Sequence, residues 1–538
     1  MTSQQATGQT ATGDTGGATN GAVEAPRRRY GPWRAASLIL VNLLMVAHFV
    51  HWRLSGRTVA PLEFSETMHA ALEGIVTAGA IFMAVAVLAT LIFGRFFCSW
   101  ACHILALQDA SRWLLKRLGI TPKPVRSRTL LFVPPIVALY LFAWPVVERW
   151  IAGTPQPVLH FAGDADGWGS FVTENYWRSM PGPFVAALTF LVCGFLTVYV
   201  LGSRSFCTYV CPYGAVFHFA DRFAPGRIQV AEGCDACGQC TAACGNYIRV
   251  ADEVKQHGKV VNPACMKAMD CVSACPKDVL SFGFTKPALY ASRSSGGRFG
   301  LPYSFTLVED IAVGVVALAV VLVFNGLYGH TPFLLALSLG GLIGYFTVLF
   351  ARLWCSGEVK LGGLQLRSSQ GWKPAGTAYG VGFGLLAAFV VHSGFIRYHE
   401  VQGVDPAFAI KYEREAAART RIAEGALPHL EFVERWGLFP NEPNDRGALK
   451  ALLHLRRFEE AEPYAARLVG RDGNDALARM YLAQCLDKQD KLDAAQREYG
   501  AALQLLDEAA EAERRFIERA LESIERRISS SLPGDLVD

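Results

Sequence analysis

Residues 234–276 read CDACGQCTAACGNYIRVADEVKQHGKVVNPACMKAMDCVSACP. This stretch contains seven of the 14 cysteines in the chain. The first four follow the spacing C-x2-C-x2-C-x3-C, and the last two follow C-x3-C with a proline directly after them. Steps of three residues bring thiolates to neighbouring corners of one small cluster, so the stretch predicts a lobe built around iron and sulfide.

Bacterial ferredoxins hold two cubane clusters with this spacing, and the last cysteine of each run binds the cluster of the other run. The crossing pattern assigns cluster one to four cysteines, which are Cys234, Cys237, Cys240 and Cys275. It assigns cluster two to three cysteines, which are Cys244, Cys265 and Cys271. Each cysteine run needs a ligand from the other run to complete its cluster, so residues 227–286 are predicted to form one ferredoxin-type α+β domain.

Cluster two lacks one cysteine ligand. A symmetric ferredoxin would have a cysteine three residues after Cys265, where this chain has Ala268. An alanine cannot bind iron. We therefore expect cluster one to be an ordinary 4Fe-4S cluster. We expect cluster two to be a 3Fe-4S form, or a 4Fe-4S form whose odd corner takes water, Asp270 or a foreign thiol.

The composition predicts a protein that crosses a membrane several times. Hydrophobic residues make up 51% of the chain and charged residues only 18%. Several apolar runs reach the length of about 20 residues that a bilayer-spanning helix needs. Four spans are predicted within 31–226 and three within 303–396, at Ala35 to Val50, Gly74 to Phe93, Thr129 to Val147, Phe184 to Leu201, Val308 to Leu327, Phe333 to Leu349 and Ala375 to Phe395.

The distribution of basic residues predicts the orientation. Arginines precede the first span and basic residues fill the loop after the second, whereas the loop after the third has only Arg149 and Arg178. By the positive-inside rule, the chain lies in a bacterial inner membrane with a disordered cytoplasmic tail at residues 1–30. The ferredoxin-type domain is then cytoplasmic, and an odd number of spans sends the C-terminal domain to the periplasm.

Zinc and disulfide bonds are weaker interpretations of the cysteines. Zinc sites are usually built from two separated cysteine pairs rather than from a tight triple followed by C-x3-C-P. Fourteen cysteines in 538 residues is far below the density of a disulfide scaffold. Most of the cysteines also lie on the predicted cytoplasmic side, where thiols stay reduced.

Two C-x3-C pairs form an internal duplication. The segment GRFFCSWACH at 94–103 aligns with SRSFCTYVCP at 203–212, and each follows a predicted span. Self-similarity of this kind indicates two repeated helical hairpins that bring four thiols to the cytoplasmic membrane face, namely Cys98, Cys102, Cys207 and Cys211. These thiols are candidates for a metal or cluster site or for a pair of redox dithiols, and the alternative is a packing role.

Histidines near the outer ends of spans are candidates for a quinone or haem contact: His48, His51, His69 and His392. Such residues more often sit at the interface or bond to neighbouring helices. Quinone contact is the preferred ligand hypothesis. The sequence shows no glycine-rich loop that would cradle a phosphate, so substrate chemistry is expected on another protein.

Residues 400–538 are predicted to form an all-α domain related to tetratricopeptide repeats. Arg457 to Ala461 and Lys491 to Ala495 match at a separation of 34 residues, which is the period of that repeat. Stacked pairs of helices usually form a concave surface for a partner protein. The alternative is an ordinary helical bundle with a chance match.

The paired C-x3-C hairpins and the ferredoxin segment after the fourth span together resemble membrane polyferredoxins of the NapH, NosR and CcoG type. The resemblance covers about Leu72 to Phe284 and implies ligand roles for the seven ferredoxin cysteines. It leaves the C-x3-C cysteines without an assigned role. Two positions depart from the family pattern: His103 stands in place of proline, and Ala268 stands in place of cysteine.

Three functions follow as hypotheses. The first is an electron-transfer subunit, of the quinol dehydrogenase type, that relays electrons between quinol or a cytoplasmic donor and a partner redox protein. The second is a reductase for a soft metal ion such as copper, or an assembly factor for a respiratory metalloenzyme, with the C-x3-C thiols as the metal site. The third is a scaffold whose repeats recruit a partner and whose clusters are structural or sense oxygen.

Overall fold

The computed structural model describes residues 29–60, 62–163, 170–173, 182–291, 303–506 and 510–531. The predicted disordered tail, apart from its last two residues, lies outside the described residues. So does Arg178, one of the two basic residues of the loop after the third predicted span.

Six helices of the described chain are long and apolar enough to cross a membrane: Gly31–Ser55, Leu130–Ala152, Pro183–Leu201, Leu307–Phe324, Phe333–Cys355 and Pro374–Tyr412. They expose large apolar side chains, as Leu43 and Leu385 do with 59% and 70% of their surface accessible. Exposed apolar area of this extent is unfavourable in water and suits lipid. The structure is therefore mostly helical with several membrane-type helices.

The remaining predicted span is shorter than expected. Its helix, Ala78–Phe93, has 16 residues and starts after strand Ile75–Val76, which pairs in parallel with His160–Phe161. The side chain of Thr77 accepts a hydrogen bond from Ala80 N and caps the helix. The apolar pattern alone predicts that this span starts at Gly74. Strand pairing and the Thr77 cap instead start the helix at Ala78.

The two halves of the duplication have the same local structure. In each, an apolar helix is followed by a five-residue helix and then by a third helix. Cys98 and Cys207 lie in the five-residue helices Phe96–Trp100 and Ser205–Tyr209. Cys102 and Cys211 are the N-cap residues of the third helices, His103–Arg117 and Pro212–Asp221.

The cysteine-rich lobe lies between two antiparallel strands. Strand Gly226–Val230 pairs along its length with Leu280–Phe284. The segment between them contains three short helices, Gln239–Ala243, Val250–His257 and Asp270–Ser273. A small core of buried residues holds the lobe together, including Ile228, Val254, Val260, Val272 and Leu280. The lobe combines helices with an antiparallel strand pair, and its assignment as a ferredoxin-type domain over 227–286 stays a prediction.

The C-terminal region is a stack of helices: Ala416–Trp436, Glu442–His454, Phe458–Arg471, Ala476–Lys488, Leu492–Leu505 and Glu511–Ser531. Ala461 and Ala495, which occupy the matching positions of the two aligned segments, are fully buried. Helix Pro374–Ala409 runs without interruption from the apolar region into this stack. The assignment to tetratricopeptide repeats stays a prediction.

The other regular elements are short. The strands are Thr58–Val59, Val172–Thr173, Val359–Leu361, Leu364–Ser368 and Gly371–Trp372, and the helical turns are Phe64–Glu66, Thr67–Leu72, Ala288–Tyr290, Leu327–Gly329 and Ile410–Tyr412. Two apolar helices contain π-helical turns, at Leu139–Ala143 and Phe190–Leu196. The second π-helical turn lies in the span that leads to Cys207.

Candidate iron-sulfur sites

The cysteines assigned to cluster one surround a single cavity. Its lining contains four thiol side chains, those of Cys234, Cys237, Cys240 and Cys275. Cys234 and Cys237 are exposed, whereas Cys240 is buried against the lobe core. The two chain segments that the crossing pattern joins therefore meet at this cavity, which opens toward solvent on the side of the first two thiols.

The cysteines assigned to cluster two surround a second cavity. Cys244, Cys265 and Cys271 line it, together with Ala268 at the position of the missing ligand. Residues 267 and 269 on either side of this alanine have positive φ angles of 52° and 62°. The loop thus turns tightly around the open corner, and its conformation uses two left-handed residues that are not glycine.

Asp270 lines the same cavity but is engaged elsewhere. Its carboxylate accepts hydrogen bonds from Arg34 Nη1 at 3.0 and 3.3 Å and from Arg204 Nη2 at 3.4 Å. Two guanidinium groups therefore hold this carboxylate as a counter-ion. Among the candidates for the odd corner, Asp270 would have to give up these partners in order to bind iron.

The four C-x3-C thiols converge at a third site. Cys207 interacts electrostatically with Cys98, Cys102 and Cys211. Burial raises the pKa of the Cys102 thiol to about 11 and that of the Cys211 thiol to about 12, and neighbouring thiolates of the same group add to both shifts. Gln108, in the helix that Cys102 caps, bonds to Cys207 of the other hairpin, so the two hairpins meet beside their thiols.

Hydrogen-bond donors already point at two of these sulfurs. Gln108 Nε2 donates to Cys207 Sγ at 3.2 Å, and Gly214 N donates to Cys211 Sγ at 3.3 Å. Donors to thiolate sulfur stabilise the charged form and raise the reduction potential of a thiolate-bound cluster. The donor set of the third site thus fits an iron-sulfur cluster.

Within the described part of the chain, no group of three or more His, Cys, Asp or Glu side chains is arranged to hold one metal ion. A lone zinc ion, for example, draws its sulfur ligands to about 2.3 Å. Each lobe cavity is instead lined by several thiols, four at cluster one and three at cluster two.

The loop of cluster two packs directly against the third site. Ser99 Oγ donates to the carbonyl oxygen of Met266 at 2.6 Å, and Trp100 Nε1 donates to that of Lys267 at 3.0 Å. Both donors belong to the short helix that carries Cys98. These two bonds therefore join the ferredoxin-type lobe to the first membrane hairpin beside Cys98.

A buried charge network reinforces this junction. Asp221 has no accessible surface and pairs with two buried cations, Arg227 Nη1 at 2.8 Å and Lys267 Nζ. Arg95 N also donates to its Oδ1 at 3.0 Å. Sequence reasoning missed Asp221 and Lys267. One sequence signal was available for charged residues near the thiols: each duplicated segment has an arginine three residues before its first cysteine.

The candidate quinone histidines have partners within the protein. His48 Nε2 lies 2.9 Å from Val59 O, and His51 Nδ1 lies 3.0 Å from Thr58 Oγ1. His69 pairs with Glu73, and His392 Nε2 lies 3.1 Å from Trp436 O. These contacts suit histidines that fasten loops to helix ends, and the quinone contact stays a hypothesis.

Comparison with known proteins identifies the class of site. The family described as a 4Fe-4S binding domain matches the chain twice, at residues 75–121 and 184–230. Each match contains one C-x3-C pair, so the duplicated hairpins are two copies of an iron-sulfur domain. The match supports an iron-sulfur binding domain in both hairpins, and the role of each C-x3-C cysteine stays a prediction. No solved structure matches the chain.

Several relatives are described as ferredoxin-type proteins. The methylamine utilization ferredoxin-type protein MauN of Methylobacillus flagellatus is 28% identical over 259 residues, which cover 43% of this chain and 80% of the relative. The putative electron transport protein YccM of Escherichia coli is 27% identical over 40% of this chain and 59% of its own length. The ferredoxin-type protein NapH of Escherichia coli is 24% identical over 35% and 61%. The chain is homologous to ferredoxin-type proteins of the NapH and MauN kind.

Proposed function

We propose that this protein is a membrane-bound electron carrier with three iron-sulfur sites in sequence. Cluster one, cluster two and a third cluster at the C-x3-C pairs form a relay from the lobe into the membrane hairpins. The observation that carries the proposal is the pair of hydrogen bonds from Ser99 and Trp100 to Met266 and Lys267. Outer-sphere transfer requires the two redox centres to lie close together, and these bonds hold their loops in contact.

The third cluster is proposed to have four thiolate ligands, two from each hairpin: Cys98, Cys102, Cys207 and Cys211. Three observations support it: the mutual electrostatic interaction of the thiols, the donors aimed at two of the sulfurs, and the iron-sulfur domain match over both hairpins. Each pair supplies only half of a cubane's ligands, so the duplication is needed for one complete site.

The seven lobe cysteines are proposed to bind clusters one and two as the crossing pattern assigns them. Cluster two would then have three protein thiolates, with a water or foreign thiol at the corner facing Ala268. This site is the most readily changed of the three, because an open iron corner exchanges its ligand or loses its iron more easily than a corner held by cysteine.

The relay is proposed to connect quinol or a cytoplasmic donor with a partner redox protein that docks on the C-terminal helices. A quinol gives up two electrons and two protons, whereas each cluster takes one electron at a time. The proton acceptor therefore has to lie outside the clusters. The basic residues of the sequence support a cytoplasmic lobe and periplasmic C-terminal helices as part of this proposal.

The proposal is tested on the full-length protein purified without oxygen. The double variant Cys98→Ser/Cys207→Ser removes one ligand from each hairpin and is expected to lose about four iron atoms per chain and one EPR component. The matched control is Cys355→Ser, which changes an exposed cysteine outside the three sites. Unchanged iron content in the double variant would refute the third cluster.

The same variants separate electron transfer from handling of a soft metal ion. If the four thiols instead bind copper, the wild-type protein will take up copper stoichiometrically, and the double variant will lose that copper without loss of iron. This result would favour the metal-reductase hypothesis. Redox-silent clusters over the physiological range would favour the scaffold hypothesis.

A further inference from the structure

The duplicated segments share an arginine three residues before their first cysteine. Arg95 precedes Cys98, and Arg204 precedes Cys207. Both arginines are almost completely buried, with 4% and 3% of their surface accessible. A buried guanidinium is always charged and has to be compensated by nearby anions. Neither the spacing of the cysteines nor the proposed relay explains why both are present.

Arg95 points to the third site. A Cβ atom added at Gly214 would lie 3.1 Å from Cys207 O and 3.4 Å from Arg95 Nη2, so this nitrogen lies beside the second cysteine pair. The guanidinium interacts electrostatically with Cys98 and Cys207. Its Nη1 donates to Pro263 O at 3.3 Å, whereas its buried Nε and Nη2 atoms have no hydrogen-bond partner among the residues that the structure describes.

Arg204 points to cluster two. It lines the cavity of Cys244, Cys265 and Cys271. A Cβ atom at Gly245, directly after Cys244, would lie 2.7 Å from Arg112 Nη1 and 3.1 Å from Arg204 Cζ, so the glycine leaves room for both guanidinium groups. Asp270 lies 3.4 Å from its Nη2 and Asp109 lies 3.6 Å from its Nε.

The backbone explains how equivalent residues face different sites. Arg95 has a φ angle of −69°, whereas Arg204 has a φ angle of +59° in the left-handed region. A change in the sign of φ redirects the side chain relative to the helix that follows. The left-handed conformation is unfavourable for a residue with a side chain, so contacts made by the redirected Arg204 have to compensate for its cost.

We propose that the two duplicated arginines set the reduction potentials of two different clusters, Arg95 that of the third site and Arg204 that of cluster two. A reduced cluster carries one more negative charge than the oxidised cluster. A fixed positive charge beside it stabilises the reduced form and raises the potential. This inference rests on the proposed function, since it requires a cluster at the third site.

The test is a potentiometric EPR titration of the full-length protein carrying Arg95→Gln or Arg204→Gln. Arg95→Gln is expected to lower the ratio of reduced to oxidised third cluster about tenfold at fixed potential, a shift of about 59 mV for one electron, with cluster two unchanged. Arg204→Gln is expected to shift cluster two alone. The signal that Cys98→Ser/Cys207→Ser removes identifies the third site.

Two sets of controls distinguish a charge effect from a structural one. Arg95→Lys and Arg204→Lys keep the charge and are expected to restore most of each potential. Arg222→Gln removes a charge from an exposed position near the same junction and is expected to move neither potential. If a glutamine variant loses its cluster, retention of the cluster with a near-native potential in the lysine variant supports the proposal.

Several outcomes would overturn the inference. Equal shifts of both clusters in either glutamine variant would show a diffuse effect, and lysine variants that behave like glutamine would show a packing role. Loss of the cluster in both variants of one arginine would also show a packing role. Absence of a third cluster from the wild-type protein would refute the proposed relay, whereas the Arg204 experiment on cluster two would still give a result.

Discussion

Replacing Asp221 by asparagine is expected to loosen the junction between the lobe and the membrane hairpins. The substitution keeps the shape of the side chain and removes its charge. Arg227 and Lys267, with 0% and 1% of their side-chain surface accessible, then lose their shared anion. Removing one partner of a buried ion pair costs about 3–5 kcal/mol, because a charge stays buried without compensation.

The loss is expected to act on the loop of cluster two, since Lys267 is the neighbour of Ala268 in that loop. Hydrogen exchange of residues 262–271 should become faster, and magnetic coupling between cluster two and the third site should weaken. The matched control is Asp278→Asn, which breaks an ion pair with Arg29 whose side chains are 43% and 53% accessible. An exposed pair of this kind is worth about 0–1 kcal/mol.

A double-mutant cycle with Lys267→Met measures the pair itself. The loss in the double variant should be smaller than the sum of the two single losses, because the second change removes a cation that the first has left unpaired. Native exchange rates at 262–271 in Asp221→Asn would refute the reasoning. Equal effects of Asp221→Asn and Asp278→Asn would also refute it.

Three further predictions concern the clusters. Ala268→Cys is expected to supply the missing ligand of cluster two, so that a three-iron EPR signal disappears from the oxidised protein or the open corner no longer reacts with added thiol. Unchanged spectra and thiol sensitivity would count against an open corner at Ala268. Trp100→Phe removes the donor to Lys267 O, which is expected to lower the stability of the junction by about 1 kcal/mol and to slow electron transfer from the lobe to the third site. The control Trp113→Phe, at a residue with 58% of its surface accessible, should leave the rate unchanged. Cys234→Ser should abolish the relay while membrane insertion stays intact, as measured by reduction of the third site and by membrane fractionation; normal turnover would contradict the proposed order.

Much of the candidate site could be predicted from spacing alone. Cysteines three residues apart can share one cluster, so the grouping of Cys234, Cys237 and Cys240 follows from local sequence, whereas the addition of Cys275 follows from the ferredoxin crossing pattern. Helix lengths were less predictable. The helix Ala78–Phe93 is shorter than its apolar run because strand Ile75–Val76 pairs with residues more than 80 positions later in the chain, and such a contact leaves no local signal.

The role of the C-x3-C pairs also depended on distant contacts. Their repetition predicts two similar hairpins, but four thiols can form one site only if the hairpins meet, and packing of the membrane helices decides that. Asp221 and Lys267 are 46 residues apart in sequence. Nothing near either residue indicates that both would be buried together beneath the loop of cluster two.

The amino-acid sequence by itself determined which atoms are available to hold iron, how they are grouped, and which segments are apolar enough for a membrane. These properties depend on composition and on spacings of a few residues. Only the tertiary structure decided that the lobe packs against the hairpins and that Arg95 and Arg204 face different thiol groups. The reason is physical. The φ angle of a buried arginine sets the direction in which its side chain points, and the groups that compensate its charge come from distant segments of the chain.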